Sequence, residues 1–280
     1  MTLAWGDACL APAKINEFLH ITQRLDNGYH QLQTVFRRID FCDVLRFYSR
    51  DDNQIRLISE HDGIDATNDL ATKAARLLQQ YTNTYHGVDI AIEKHIPLGS
   101  GLGGGSSNAA TTLMALNALW ETGLDQQTLQ HLGLQIGADV PFFIFGHDAF
   151  GQGVGEQLTA LELAQSTYLL LFPPVSVSTK AVFSKLDDQD FAQPILPQDY
   201  QTGFGRNSLT PAAVDLFPVI GDYLNWLSQY TDARMSGSGA TVFGRFESSL
   251  HAKKVFDQRP ETFDGIIASS LPSHPLFSLL

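Results

Sequence analysis

The spacing of apolar residues along the chain predicts a mixture of strands and helices. Alternating and β-branched stretches predict strands at residues 9–21 and 36–48, on either side of the turn signal Asp26-Asn-Gly28. In residues 88–96 the valine and three isoleucines fall on one face of the segment. This pattern predicts a half-exposed strand with antiparallel neighbours, because buried parallel strands are apolar on both faces.

Predicted helices alternate with predicted strands through the rest of the chain. The first predicted helix spans residues 69–81, with Asn68 as its cap, and a later helix begins at Thr210-Pro211, with the threonine as cap. Residues 185–206 are polar and rich in Pro and Gly, which predicts a mobile connection. Further helices are predicted at residues 125–132, 219–230 and 250–256, and further strands at residues 168–172, 241–246 and 265–271.

Composition narrows the class of protein. The 280 residues are 44% hydrophobic, which is enough for the core of one large domain or two ordinary ones. A net charge of −12 argues against nucleic-acid binding, because that affinity comes from clustered Lys and Arg. Cys9 and Cys42 are too few for a disulfide framework, and the sequence shows no leader pattern or membrane-spanning run. We therefore expect a cytoplasmic protein that binds neither nucleic acid nor membrane.

A glycine-rich segment at residues 97–110 is the strongest chemical signal. Glycines occupy positions 99, 101, 103, 104 and 105, two serines follow, and an apolar helical period then runs towards a stop at Gly123. A glycine loop that leads into a helix presents unpaired N–H groups and the positive end of the helix dipole. These features predict a phosphate-binding loop followed by an amphipathic helix.

The common nucleotide-binding folds fit this loop poorly. Gly99, Gly101 and Gly104 match the dinucleotide pattern G-x-G-x-x-G, but the preceding strand alternates and is not a continuous apolar run. Glu121 lies at the distance of a ribose-binding acid, yet it ends the same helix and does not follow a second strand. The sequence also lacks a G-x-x-x-x-G-K-[ST] loop and the kinase H-R-D and D-F-G elements.

Asp139 is the candidate for acid–base chemistry. It lies in G-A-D-V-P at residues 137–141, just before an apolar helix start with Pro141 in its first turn. Two readings fit the residues equally well. Asp139 caps the helix, or its ionised carboxylate accepts a proton from a reacting hydroxyl.

The chain resembles the superfamily of galactokinase, homoserine kinase, mevalonate kinase and phosphomevalonate kinase. A-P-A-K-I-N-E-F-L at residues 11–19 resembles the first motif of the superfamily, and the glycine-rich segment resembles the second. R-M-S-G-S-G-A-T-V-F at residues 234–243 resembles the third. G-Y-H at residues 28–30, the triple glycine and G-A-D-V-P together resemble one branch closely. That branch phosphorylates a hydroxyl of a small molecule bearing a cytidine diphosphate, in the synthesis of isoprenoid precursors.

The resemblance implies an α+β fold of two domains. The family has an N-terminal domain like ribosomal protein S5 and a C-terminal ferredoxin-like domain, which implies a boundary that divides this chain into residues 1–160 and 161–280. ATP and the second substrate meet between the domains. We also expect a monomer or weak dimer.

The same resemblance assigns the chemistry. It makes Asp139 the catalytic base and Lys14 its partner, with Asn16 as a polar contact to the substrate. Mg²⁺ accompanies ATP, and Ser107 is the expected metal contact. The residues expected to bind ATP are Pro97, Gly99, Gly101, Leu102, Gly103, Gly104, Gly105, Ser106, Ser107 and Asn108.

Specificity for cytidine is assigned by resemblance to two further segments. Tyr29 and His30 would hold the base together with Phe183, which ends P-V-S-V-S-T-K-A-V-F at residues 174–183. A flat base with an acceptor and a donor at its edge needs aromatic faces and hydrogen-bond partners. The other expected substrate contacts are Thr179, Gly237, Ser238 and Gly239.

Two other classes of function remain open at this level. The chain could be another kinase of the superfamily or its diphosphomevalonate decarboxylase branch, although these are not expected to combine Tyr29-His30 with the triple glycine. It could also be a non-catalytic interaction protein on the same fold. Decay of Lys14, the glycine loop or Asp139 would indicate that class, and none has decayed.

Overall fold

The computed structural model describes residues 2–26, 28–59, 69–186 and 191–280. These residues form ten strands: β1 (Cys9–Arg24), β2 (His30–Arg50), β3 (Ile55–Leu57), β4 (Gly87–Glu93), β5 (Ala149–Gln152), β6 (Gln157–Ala160), β7 (Thr167–Phe172), β8 (Ala233–Met235), β9 (Val242–Phe246) and β10 (Asp264–Ser269). The described residues also form eight α-helices: α1 (Leu70–Thr82), α2 (Gly104–Leu119), α3 (Gln126–Ile136), α4 (Val140–Phe145), α5 (Thr179–Phe183), α6 (Thr210–Leu216), α7 (Pro218–Leu227) and α8 (Ser249–Phe256). The predicted α+β class is confirmed.

The first sheet is built around the long hairpin of β1 and β2. Its order is β3-β4-β2-β5-β6, and β1 pairs along β2. The pairs are antiparallel, except that β3 runs parallel to β4. The predicted antiparallel strand at residues 88–96 is confirmed in its pairing with β2, with its apolar face buried. The parallel neighbour β3 was not predicted.

Helix α2 lies in the centre of the first core. Ten consecutive residues, 107–116, are buried, because the helix packs between α1, α4 and the first sheet. The prediction of an amphipathic helix here was wrong. Its alanines and threonines are small enough to allow close neighbours on every side, and a helix that is buried all round needs no polar face.

The second sheet has the order β10-β7-β9-β8 and is antiparallel. Helices α7 and α8 pack on it and enclose a second core. β1 joins the two layers, because its C-terminal half supplies Leu19 and Ile21 to the second core while Cys9 and Ala11 belong to the first. In return, Leu276 near the C-terminus packs in the first core.

A buried polar network also joins the two sheets. Glu17 on β1 forms an ion pair of 3.1 Å with Arg37 and accepts hydrogen bonds from the hydroxyls of Tyr168 (2.5 Å) and Tyr200 (2.7 Å). Burial, and then the charge of Glu17, raises the pKa of both tyrosines. Both therefore stay protonated and keep donating to the carboxylate.

Several local predictions are corrected. Asn68 lies outside the described residues, and Asp69 caps α1 by accepting from the amide of Thr72. Thr210 is not a cap, since Leu209 occupies that position and Thr210 begins the helix. Residues 191–206 contain one short 3-10 helix, Pro197–Asp199, and are attached to β1 and β2. The amide of Ala192 donates to the carbonyl of Ile21 at 2.8 Å, and Gln33 forms two hydrogen bonds of 2.9 Å with the backbone of Ile195. No helix within the described ranges is long and apolar enough to cross a membrane.

Candidate active site

A cleft of about 1060 Å³ opens between the glycine loop, the turn after β8 and the start of the β1–β2 hairpin. Sixteen of the residues selected from the sequence line it: Lys14, Asn16, Tyr29, His30, Pro97, Gly99, Gly101, Gly103, Gly104, Gly105, Ser106, Asp139, Thr179, Phe183, Gly237 and Ser238. Residues from six separate parts of the chain therefore share one cavity.

The glycine loop presents backbone N–H groups to this cleft. Gly101 and Gly103 have φ values of +78° and +71°, which glycine adopts without the strain that a Cβ would cause. The first helical hydrogen bond of α2 runs from the amide of Ser107 to the carbonyl of Gly103, at 2.9 Å. The amides of residues 104–106 precede that bond, so they belong to the helix end that attracts anions.

Three residues of the predicted ATP set lie behind the loop. Leu102, Ser107 and Asn108 are buried, and the amide of Ser107 is already used inside α2. The Ser107 hydroxyl has no hydrogen-bond partner among the described residues, but it does not face the cleft. Ser106 does, so it is the loop hydroxyl better placed to meet a ligand.

Lys14 on β1 is buried and surrounded by acceptors. Its Nζ donates to Oδ1 of Asn16 at 2.6 Å and to the carbonyl of Gly101 at 3.0 Å, and it lies 3.4 Å from Oδ2 of Asp139. An ammonium group has three N–H donors, so these three acceptors fix its position. The β1 strand thus connects the glycine loop to the carboxylate at the start of α4.

Asp139 occupies the position before α4 but does not cap it. Its backbone is in the helical region (φ −82°, ψ −15°), and its carboxylate accepts no capping hydrogen bond from the described residues of the helix. A capping residue normally has an extended backbone and bonds the amides of the first turn. The carboxylate instead faces the cleft, and its side chain is 32% exposed.

The turn after β8 closes against the glycine loop. Ser236 Oγ donates to the carbonyl of Gly101 at 3.0 Å, and the amide of Thr241 donates to the carbonyl of Ser100 at 3.0 Å. Gly237 has a φ of +56°, and a Cβ there would lie 3.1 Å from the carbonyl oxygen of Gly101 and 3.3 Å from Nζ of Lys14, so glycine favours this close approach of the turn. Gly239 belongs to the same turn but does not line the cleft.

Asn207 anchors this turn and was missed by the sequence analysis. Its buried amide donates to the carbonyls of Met235 (2.8 Å) and Gly237 (2.7 Å), while its Oδ1 accepts from the amide of Leu209 (2.9 Å). All its partners except Leu209 lie far away in sequence. No local pattern could have identified it.

Aromatic groups form the other end of the cleft. The rings of His30 and Phe183 have centroids 5.4 Å apart and an interplanar angle of 40°, and Tyr29 beside them is 66% exposed. Thr179 Oγ1 lies 2.8 Å from Ser238 Oγ, which joins α5 to the turn after β8. This end can bind a flat ring, with polar groups at its edge.

Lys94 brings a second ammonium group to the glycine loop. A Cβ on Gly104 would lie 3.3 Å from its Nζ. Asp43, which is fully buried, forms an ion pair with Lys94 and accepts from the amides of His95 (2.8 Å) and Ile96 (2.9 Å). A cation directly before a glycine-rich loop is a signal that could have found Lys94 from the sequence.

The arrangement can position a phosphate chain near a carboxylate. Across the residues that the structure covers, no three His, Cys, Asp or Glu side chains cluster as a metal site would require. The cleft does hold the carboxylate of Asp139 and the hydroxyl of Ser106. Such a donor set fits Mg²⁺, which keeps phosphate and water ligands and needs few from protein.

Comparison with known proteins agrees with this geometry. The profile of the GHMP kinases N terminal domain matches residues 69–147, and that of the GHMP kinases C terminal domain matches residues 193–265. The chain is 48% identical over 274 residues to 4-diphosphocytidyl-2-C-methyl-D-erythritol kinase of Herminiimonas arsenicoxydans, covering 96% of both chains. It is 47% identical to the kinase of the same name from Azoarcus sp. (strain BH72), covering 97% of this chain and 96% of the relative.

Solved structures show the same likeness. A crystal structure of 4-(cytidine 5'-diphospho)-2C-methyl-D-erythritol kinase superposes with a TM-score of 0.82 at 32% identity, covering 94% of this chain and 99% of the other. Homoserine kinase from Cytophaga hutchinsonii superposes with a TM-score of 0.72 at 16% identity, covering 98% and 97%. The second likeness concerns the fold alone.

Proposed function

The chain belongs to the GHMP kinase family, and from this membership and the cleft we propose that it transfers the γ-phosphoryl group of ATP to the 2-hydroxyl of 4-diphosphocytidyl-2-C-methyl-D-erythritol. Two relatives of that name are nearly half identical to this chain over almost its whole length. The observation that carries the proposal is that three groups meet in one cleft: the carboxylate of Asp139, which caps no helix, the buried ammonium group of Lys14, and the glycine loop.

The reaction needs a base beside the attacking oxygen. The 2-hydroxyl oxygen forms a bond to the γ-phosphorus, the bond from that phosphorus to the ADP oxygen breaks, and Asp139 accepts the hydroxyl proton. The carboxylate is free for this role, since it is not used as a helix cap. Phosphoryl transfer depends mainly on positioning and on neutralisation of charge, and such a base contributes about 10²–10⁴ in rate.

Lys14 would position both the base and the hydroxyl. Its Nζ is fixed by Asn16 and by the Gly101 carbonyl, so the ammonium group stays in place when Asp139 takes up a proton. Burial strengthens the attraction between the ammonium and the carboxylate, because the local dielectric constant is lower than in water. Asn16 is itself held by Thr34, to which it donates at 2.8 Å.

The glycine loop would bind the phosphates of ATP. The amides of residues 104–106 and the Lys94 ammonium group supply donors and positive charge on the same side of the cleft. Mg²⁺ bound with ATP would neutralise charge on the transferred phosphoryl group. Among the loop hydroxyls, the position of Ser106 supports it as the metal contact in preference to Ser107.

The cytidine would occupy the aromatic end. His30 and Phe183 offer ring faces, and Thr179 and Ser238 offer hydroxyls at the edge. We also propose that the chain divides into two domains, residues 1–160 and 161–280. This division is supported by the sheets, since β6 ends at Ala160 and β7 begins the second sheet at Thr167.

Purified protein incubated with ATP, Mg²⁺ and single alcohols tests the proposal. We expect ADP to form with the cytidyl substrate and far more slowly with mevalonate, homoserine or galactose. An Asp139→Asn preparation serves as the matched control for contaminating ATPase. Equal or better turnover of another alcohol would assign the chain to a different branch, and no turnover of any alcohol would favour a non-catalytic role.

A further inference from the structure

The cleft holds three ammonium groups and no guanidinium group among the described residues that line it. They belong to Lys14, Lys94 and Lys180. Lys14 is paired with Asp139 and Lys94 with Asp43, so two of the three charges are already balanced by carboxylates. Lys180 is exposed and has no ion pair with any described residue.

The proposed reaction brings two polyanions into this cleft. One is the triphosphate of ATP, and the other is the diphosphate of the cytidyl substrate. The protein carries a net charge of −12, so each anion needs local positive charge to bind. The helix end of α2 and Lys94 lie on the side of the glycine loop. Neither belongs to the elements that carry His30 and Phe183.

Lys180 lies at that aromatic end. It shares α5 with Phe183 at a spacing of three residues, which brings two side chains to the same face of a helix. The preceding residue, Thr179, contacts Ser238 of the turn that closes over Lys14. Lys180 therefore lines the cleft from the helix that carries Phe183, and it follows in sequence the residue that contacts the turn over Lys14.

We propose that the Lys180 ammonium group binds the diphosphate of the cytidyl substrate and makes the cleft selective for a nucleoside diphosphate over the nucleoside alone. The inference rests on the proposed function, because it presupposes that the base binds at the aromatic end of the cleft, which His30 and Phe183 line. Its chemistry is a charge-assisted hydrogen bond to phosphate oxygens, which a lysine supplies as a mobile point charge.

Calorimetric titration with cytidine and with cytidine diphosphate tests this without turnover. The wild type should bind the diphosphate more tightly than the nucleoside. Lys180→Met should weaken binding of the diphosphate about tenfold, the size expected for one hydrogen bond to a charged group, and leave cytidine binding within twofold. Lys180→Arg should retain most of the preference. Lys185→Met is the matched control, since Lys185 lies just beyond α5 and pairs with Asp215.

Steady-state kinetics on the same variants give a second readout. Lys180→Met should raise KM for the cytidyl substrate about tenfold, while KM for ATP and kcat change by less than twofold. Equal weakening of cytidine and its diphosphate, or a rise in KM for ATP alone, would overturn the role of Lys180 and leave the proposed function intact. If the wild type neither binds cytidine diphosphate nor phosphorylates the cytidyl substrate, both proposals fail.

Discussion

Nζ of Lys14 lies 3.4 Å from Oδ2 of Asp139, across the junction of β1 and α4. Two different neighbours keep the lysine in place, whereas the carboxylate makes no bond to the amides of its own helix. An aspartate before a helix would gain stability by capping it. Asp139 does not cap α4 and is paired with Lys14 instead. The catalytic predictions follow from this pairing.

Asp139→Asn should lower kcat by about 10²–10⁴, because the amide keeps the shape but cannot accept the proton. The dissociation constant of ATP should stay within about twofold, since the phosphates would bind backbone amides. Thermal stability should barely change, because no capping hydrogen bond is lost. Rate assays, nucleotide titration and melting curves on one preparation give all three quantities. A near-normal kcat together with a lowered melting temperature would favour the capping role.

Lys14→Met should also lower kcat, and the two substitutions should be far from additive. The lysine and the aspartate would act on the same proton transfer, so removing the second partner costs little once the first is gone. The measurement is a double-mutant cycle on kcat/KM. Fully additive effects would mean that the residues work independently in spite of their 3.4 Å separation.

Gly105→Ala should weaken ATP binding while making the protein slightly more stable. Alanine favours a helix over glycine by about 1 kcal/mol, and the added Cβ would meet only the flexible Leu70, at 3.3 Å. A methyl group at this cleft-lining position would nevertheless obstruct the approach of phosphate to the loop. Nucleotide and cytidine diphosphate titrations distinguish the two ends of the cleft, and only the first should change.

Gly221→Ala in α7 provides the control, because it is the same exchange in a helix away from the cleft. Gly103 is a poorer test position. Its added Cβ would lie 3.1 Å from Cε of Lys14, so any loss of activity there could come from the lysine. Unaltered ATP affinity in Gly105→Ala would remove the loop from the nucleotide site.

The sequence predicted the parts of the site that depend on local chemistry. Glycines that lead into a helix indicate an anion site, and Asp139 before a helix start has two interpretations on its own. Lys14, the G-Y-H segment and the catalytic role of Asp139 were identified by resemblance to the motifs of the family. The roles assigned to these residues stay predictions, although the structure brings their side chains into one cleft.

Features that depend on distant pairing could not be predicted. Asn207 gains its importance from the carbonyls of Met235 and Gly237, which only the folded chain brings near it. The burial of α2 on all sides likewise depends on the elements that pack against it. The spacing of its own apolar residues could not predict those neighbours. Ser107 was expected to face a metal, but a rotation of one residue along α2 directs Ser106 to the cleft instead.

Stability should depend on the protonation of His274 at acidic pH. Burial, with a smaller contribution from the charge of Arg38, lowers the pKa of His274 to about 3. The pKa in the unfolded chain is near 6.5, so the folded state favours the neutral ring. The stabilisation is complete above about pH 6.5 and is lost, by up to about 1.4 kcal/mol per pH unit, as the pH falls towards 3.

His274→Gln should therefore flatten part of the decline in unfolding free energy between pH 6 and about pH 4. The measurement is denaturant unfolding of both proteins at several pH values. His251→Gln is the control, because it removes a histidine that is exposed on α8 and not buried. Parallel curves for wild type and His274→Gln would contradict the assignment.

Asn207→Ala should reduce turnover more than its effect on stability explains. The substitution removes the two donors that hold the turn at residues 235–237, and that turn contacts Lys14 and the glycine loop. Two buried carbonyls left without donors cost about 1–3 kcal/mol each in stability. A displaced turn would additionally lower kcat by about tenfold or more, because small misplacements of positioning groups are expensive in rate.

Asn117→Ala separates the two effects. Asn117 holds the turn between α2 and α3 in a similar way, donating to the carbonyl of Leu124 at 3.0 Å and accepting from its amide at 2.9 Å, but the turn that it holds does not line the cleft. Both variants should melt at lower temperatures than the wild type. Only Asn207→Ala should lose kcat at a temperature where both are folded, with the dissociation constant of ATP little altered. If the two variants lose the same small fraction of activity, Asn207 stabilises the fold and does not position the reacting groups.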